Sequence, residues 1–237
     1  MSRARRRPAA WLALLLVYRR IDVRLPERFA HALSDEEVAT GVESFLSFPP
    51  LARRLSGGEA VVEAEVANVD RALDSLTDMG ERRWWPSPAD TRPELDRLAP
   101  PGAYDSVFVL WPQRDLVSGA HVATGGWGLA IAAADWSNGA TYATVANIEL
   151  ETWRLPTVGE VWLHEWLHGV CDHVSRLGFE MPAGDADGGD RAGYRHSADS
   201  GWSGYYRDLM TGRVRSGDRL LGIPPQAWRA GTILDRR

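Results

Sequence analysis

The feature that most limits how this chain can fold is a run of apolar residues in its C-terminal third. Leu163, Leu167, Val170, Val174 and Leu177 recur at steps of four, three, four and three, the spacing of one helix face. Ahead of them Pro156 precedes Thr157-Val158-Gly159-Glu160, which has the form of a capping box. Gly178 follows, where a helix often ends on a left-handed residue. The spacing therefore predicts a helix over 158–177, one that must bury a whole face. His164, Glu165 and His168 stand inside it, between Val161-Trp162-Leu163 and Val170-Cys171. A buried helix that merely contained two imidazoles and a carboxylate would be costly, because such groups need partners once they leave water.

Upstream, Ser34-Asp35-Glu36-Glu37 reads as a second capping box. Its helix is expected to run to about Ser47 and stop before Pro49-Pro50, since proline lacks the N–H that a helix interior uses. Trp11 to Leu25 is expected as a first strand through Val17, Ile21 and Val23. Val61, Val62 and Val66 suggest another, and Leu73 to Met79 a passage into a loop. Residues 80–103 are rich in Pro and Trp, with a short helix entered at Asp90 to Pro93. Tyr104 to Trp111 is a β-branched and aromatic strand closed by Pro112. Gly125-Gly126-Trp127-Gly128 is a loop. Leu129 to Ala133 and Thr141 to Ile148 follow as strands, with a turn at Asn138-Gly139 between them. A mixed or antiparallel sheet thus precedes the long helix, which gives an α+β class.

Two histidines four residues apart on a helix project in nearly the same direction. His164 and His168 so placed can offer two corners of a tetrahedral Zn²⁺ site. Glu165 is rotated about 100° from His164, close enough to reach a water there without ligating the metal. Zinc lowers the pKa of such a water to about 7, and a carboxylate can take its proton as it attacks a carbonyl.

His164-Glu165-Trp166-Leu167-His168 resembles the defining His-Glu-x-x-His motif of the zincin metallopeptidases. The match covers five residues and the order of sheet before helix. The resemblance implies a zincin-like fold, zinc held by His164 and His168, and Glu165 as general base. The branches differ in what comes next. Metzincins add a Gly three residues on and a third His six residues on; here Gly169 follows at once and position 174 is Val. Asp208-Leu209-Met210-Thr211 is loosely similar to their Met-containing turn. Gluzincins take a distant Glu, yet no Glu follows Glu180. Aspzincins use an Asp with a Tyr nearby, to which Asp190-Arg191-Ala192-Gly193-Tyr194 is faintly similar. No branch is assigned.

The third ligand must then come from residues 179–211. His173 lies about 140° round the helix from His168 and reads as a surface histidine. His196 is the remaining downstream histidine, and Asp190 is the carboxylate alternative, with Tyr194 able to donate to a developing oxyanion. Asp185-Ala186-Asp187-Gly188-Gly189-Asp190 departs from the calcium-loop spacing and has no closing Glu, so it reads as an acidic flexible loop. Trp202, Tyr205 and Tyr206 line either a pocket or the core.

At 237 residues, 44% of them hydrophobic, the chain can bury one core divided about a cleft. The expected organisation is a basic tail over 1–8 and one domain over 9–237. Its first lobe, 9–178, holds the sheet and active helix; its second, 179–237, holds the third ligand and substrate pocket. All 27 basic residues are Arg and the formal charge is −5, with no basic stripe, so a nucleic-acid partner is not expected. Arg3 to Arg7 before an apolar run has the outline of a signal peptide, but Arg19-Arg20 and the lack of a small-x-small site fit poorly. The run is too short to span a bilayer. A cytoplasmic location is favoured over a secreted one, with which the lone Cys171 agrees. The expected function is zinc-dependent hydrolysis of an amide in a peptide or protein substrate. The alternatives are a zinc-containing binding or structural domain and a hydrolase of a non-peptide amide. Strand addition of an extended substrate beside residues 125–128 is a further expectation.

Overall fold

The apolar run beginning at Trp11 becomes an inner strand of a five-stranded sheet. A computed structural model describes residues 10–147 and 156–236; the basic tail and the strand end expected at Ile148 lie outside them. In chain order the elements are β1 (Ala10–Tyr18), β2 (Arg20–Leu25), β3 (Glu27–Ala32), α1 (Asp35–Leu55), β4 (Val61–Val69), β5 (Thr77–Asp78), β6 (Trp84–Trp85), α2 (Arg92–Leu98) and β7 (Ser106–Trp111). They continue with β8 (Gly128–Ile131), β9 (Thr141–Ala146), α3 (Glu160–Arg176), α4 (Ser203–Met210), β10 (Val214–Ser216), β11 (Arg219–Leu221) and α5 (Pro225–Trp228). The sheet order is β4-β1-β7-β9-β8, with the first four strands parallel and β8 antiparallel to β9. This is a mixed α+β structure. None of its described helices is long and apolar enough to cross a membrane.

Both faces of the central strands are covered, which is why β1, β7 and β9 read as apolar throughout instead of alternating. On one face Trp11, Leu15, Phe108 and Val145 pack with Phe45 and Phe48 of α1 and Trp162 and Trp166 of α3. On the other, Leu14, Val109, Trp111 and Tyr142 pack with Leu95 of α2 and with Ile21 and Val23. The strand expected over Trp11 to Leu25 is in fact two. It breaks at the exposed Arg19, whose guanidinium binds Leu33 O and Asp35. Beyond it, β2 buries only Ile21 and Val23 and turns back on β3 as a half-buried hairpin.

The Ser34 cap forms as expected: Glu37 N–H donates to Ser34 Oγ (3.1 Å) and Ser34 N–H to Glu37 Oε2 (2.8 Å). Its helix does not stop before the prolines. Pro49 and Pro50 sit inside α1, which continues to Leu55. Burial of Phe48, Leu51, Ala52 and Leu55 in the core offsets the missing donors. One of the carbonyls so orphaned belongs to Leu46, an exposed residue that water can reach.

The second capping box does not form. Gly159, at φ 87°, occupies the N-cap of α3 with no side-chain bond. A Cβ there would lie 2.8 Å from Phe48 N, so the start of α3 meets the backbone of α1 where only glycine fits. Further along, α3 crosses the sheet so closely that a Cβ on Gly169 would lie 2.5 Å from Thr141 Cγ2. Gly169→Val should therefore lose about 2 kcal/mol or more, because overpacking at a closed contact outweighs the few tenths that Val gains in helix propensity over Gly. Urea unfolding of the metal-free protein measures this, and an unchanged midpoint would contradict so close a crossing.

Candidate metal centre

Helix α3 turns one polar line away from the sheet: Glu160, His164, His168 and Asp172, each four residues from the last. That line and the neighbouring Glu165 form the floor of a cavity of about 1060 Å³. Strand β8 makes one wall, through Gly128, Leu129 and Ala130. Trp202 and Tyr206 of the C-terminal segment face them.

His164 Nε2 and His168 Nε2 stand 3.3 Å apart, with their rings at 89°. Two ligand atoms on a tetrahedral Zn²⁺, each about 2.0–2.1 Å from it, would be about 3.3 Å apart. The opposite ring nitrogens are both engaged. His168 Nδ1–H donates to Asp185 Oδ1 at 2.6 Å, and His164 Nδ1 lies 2.8 Å from Tyr206 Oη. Asp185 can only accept, so it fixes the tautomer that leaves His168 Nε2 its lone pair, as carboxylates do around histidine ligands of metals, while the Tyr206 hydroxyl orients the His164 ring. Asp187 is the third candidate donor, with Oδ1 3.5 Å from His164 Nε2 and Oδ2 3.8 Å from His168 Nε2. One ligand atom from each of His164, His168 and Asp187 lies within 4.8 Å of the others, so the three could hold a metal ion.

Ionisation follows from burial and neighbours. Burial, and then the charge of His168, hold the His164 pKa below the usual imidazole range, which keeps its lone pair available. Burial pulls His168 the same way, but the hydrogen bond and charge of Asp185 outweigh it and raise the pKa. Glu165 is 7% exposed. Burial pushes its carboxyl up to about 8, with His168 opposing and Asp187 adding to the rise. Glu165 owes its place to an absent side chain: a Cβ on Gly128 would lie 2.3 Å from Glu165 Oε1 and 2.6 Å from its Cγ. The β8 backbone thus runs directly over this carboxylate.

Among the described residues, strand β8 is an edge of the sheet. Trp127 O accepts from Ala146 N–H at 3.1 Å. By the alternation of an antiparallel pair, Gly128 and Ala130 then turn their N–H and C=O groups away from β9, toward the cleft.

The residues anticipated in the C-terminal segment fall elsewhere. Asp190 is exposed and 3.9 Å from Arg195 Nη1. His196 lines the far end of the cavity, with its ring 5.7 Å from that of Trp202. Tyr194 Oη donates to Asp208 Oδ2. The chain folds tightly at Gly188-Gly189, where Ala192 N–H donates to Gly188 O and Tyr194 N–H to Gly189 O, and this carries Asp190 away from the histidine pair. The preceding 3₁₀ turn, Asp185–Asp187, packs on α3 and delivers its two acids. That stretch, read as a flexible acidic loop, is therefore an ordered turn at the site. Its signal in the sequence was the Asp-x-Asp spacing soon after the helix. His173 points away from the pair, as the helix geometry requires. It is half-buried rather than a surface group, set edge-on to Trp11 at 5.5 Å. Tyr206 is both core and lining, while Tyr205 is buried and donates to Asp185 O.

Comparison with known protein families gives no match, and none of the characterised proteins compared with the chain matches it.

Proposed function

We propose that the protein is a zinc-dependent hydrolase of zincin-like architecture that cleaves amide bonds in peptides. His164, His168 and Asp187 hold the metal, and Glu165 serves as general base. The observation that carries this reading is the pair of Nε2 atoms 3.3 Å apart, each ring held by a partner on its other nitrogen. A purely structural zinc site is closed by four protein ligands. Here the donor group opens on a cavity of about 1060 Å³ with a carboxylate beside it. Both features favour catalysis over a binding or structural role.

When bound, zinc would supply Lewis acidity, making water a nucleophile near neutral pH and polarising the carbonyl it attacks. The protein does the rest. Asp185 and Tyr206 hold the two imidazoles in register. Glu165 Oε1, 3.9 Å from His164 Nε2, accepts a proton from the attacking water and passes it to the leaving nitrogen. A neighbouring dication favours the ionised form of Glu165 and so opposes the effect of burial. The outward groups of Gly128 and Ala130 offer an extended peptide the hydrogen bonds of an added strand, which holds its backbone across Glu165.

Incubation with a mixed peptide library, analysed by mass spectrometry, tests the function. Cleavage should need zinc, stop on chelation and return on zinc addition. Cleavage that persists after complete removal of metal would refute the mechanism. A metal-loaded protein that cuts no peptide would favour the non-catalytic alternative.

A further inference from the structure

We propose that the end of the cleft beside Glu160 is a subsite for a basic side chain, so that the substrates are peptides with arginine or lysine close to the bond that is cut. The inference rests on the cleft being the place where a peptide is cut. It begins with an imbalance: among the described residues five carboxylates line the cavity, from Glu160, Glu165, Asp172, Asp185 and Asp187, and no arginine does. Even a bound dication leaves the formal sum negative.

Four of these acids are accounted for. Asp185 pairs with His168, Asp187 faces both histidines, and Asp172 lies 2.8 Å from Arg176. Glu165 is buried under Gly128. Glu160 receives Trp202 N–H at 3.0 Å and the Ser203 hydroxyl at 3.4 Å, and no arginine pairs with it among the described residues. Burial raises its pKa, against the pull of those two bonds and of His196. A carboxylate stripped of water in this way gains more from an arriving cation than an exposed one does.

Its surroundings suit a planar cation. The Trp202 indole and His196 imidazole line the same end of the cavity, with ring centroids 5.7 Å apart. A guanidinium can lay one face on the indole while its edge donates to Glu160. Glu160 is one helical turn, about 5–6 Å along the axis, from His164. An arginine side chain can span that from a residue at or next to the scissile bond.

The test uses the zinc-loaded protein and two isosteric probes, Nα-acetyl-arginine amide and Nα-acetyl-citrulline amide, with binding read by calorimetry. Arginine should bind about tenfold more tightly than citrulline. Glu160→Gln, whose amide oxygen can still accept from Trp202, should bring the ratio to about two or less. Equal binding of the probes by the unaltered protein overturns the subsite, as does no binding, or a preference that survives Glu160→Gln in a variant with normal melting. The peptide library separates the two readings. Cleavage without enrichment of Arg or Lys removes the subsite and leaves the hydrolase. No cleavage, with the arginine preference intact, removes the hydrolase and leaves a cation-binding cleft.

Discussion

Replacing His164 by Ala is expected to lower zinc affinity at least about a hundredfold, because the proposed site loses one of its three protein donors. Asp187→Asn and His168→Ala should cost about as much, since each removes one ligand atom of the same cluster. Asp185→Asn acts one step removed. It leaves all three donors in place but weakens the acceptor that orients His168, and such partners are typically worth 10–100-fold. Three other variants should stay within a few-fold of the unaltered protein. Asp190 faces Arg195, His196 lies beside Trp202, and His173 packs on Trp11. Competition with a chelator measures the whole set. Release of zinc by His196→Ala or Asp190→Ala, with Asp187→Asn keeping it, would show that the C-terminal segment closes the site in another way.

Glu165→Gln should leave zinc affinity within a few-fold and reduce peptide cleavage about a hundredfold or more. A positioned general base contributes on that scale, while the proposed ligands are other residues. The substitution preserves shape, which matters because Glu165 fills the space that a Cβ on Gly128 would need. Melting of the variant beside the unaltered protein separates a loss of rate from a loss of fold. Near-normal turnover by the metal-loaded variant, on a peptide that the unaltered protein cuts, would exclude Glu165 as the base. Loss of zinc together with activity would instead make Glu165 a ligand.

What the sequence determined by itself was local. The Ser34 cap is legible because a capping box joins groups three residues apart. The pairing of His164 with His168 follows from one turn of helix, whatever the helix packs against. The same geometry turned His173 away. The apolar runs of β1 and β7 revealed strands, although not that both their faces are covered. Where the sequence misled, a distant partner had overruled a local preference. Pro49 and Pro50 sit inside α1 because the residues after them are buried in the core. Glu160 leaves the expected cap at Thr157 to hold the start of α4 through Trp202 N–H. The third member of the candidate cluster also belonged to the tertiary structure. Asp187, and not Asp190, meets the histidines because a 3₁₀ turn packs on α3 and the tight fold at Gly188-Gly189 then carries the chain off. Likewise, Tyr206 comes 42 residues along the chain to reach His164, and Gly128 crosses from the sheet edge to make room for Glu165. Short-range backbone geometry repeats wherever a helix forms and so can be read from spacing, whereas the return of a loop is set by packing between segments that no spacing encodes.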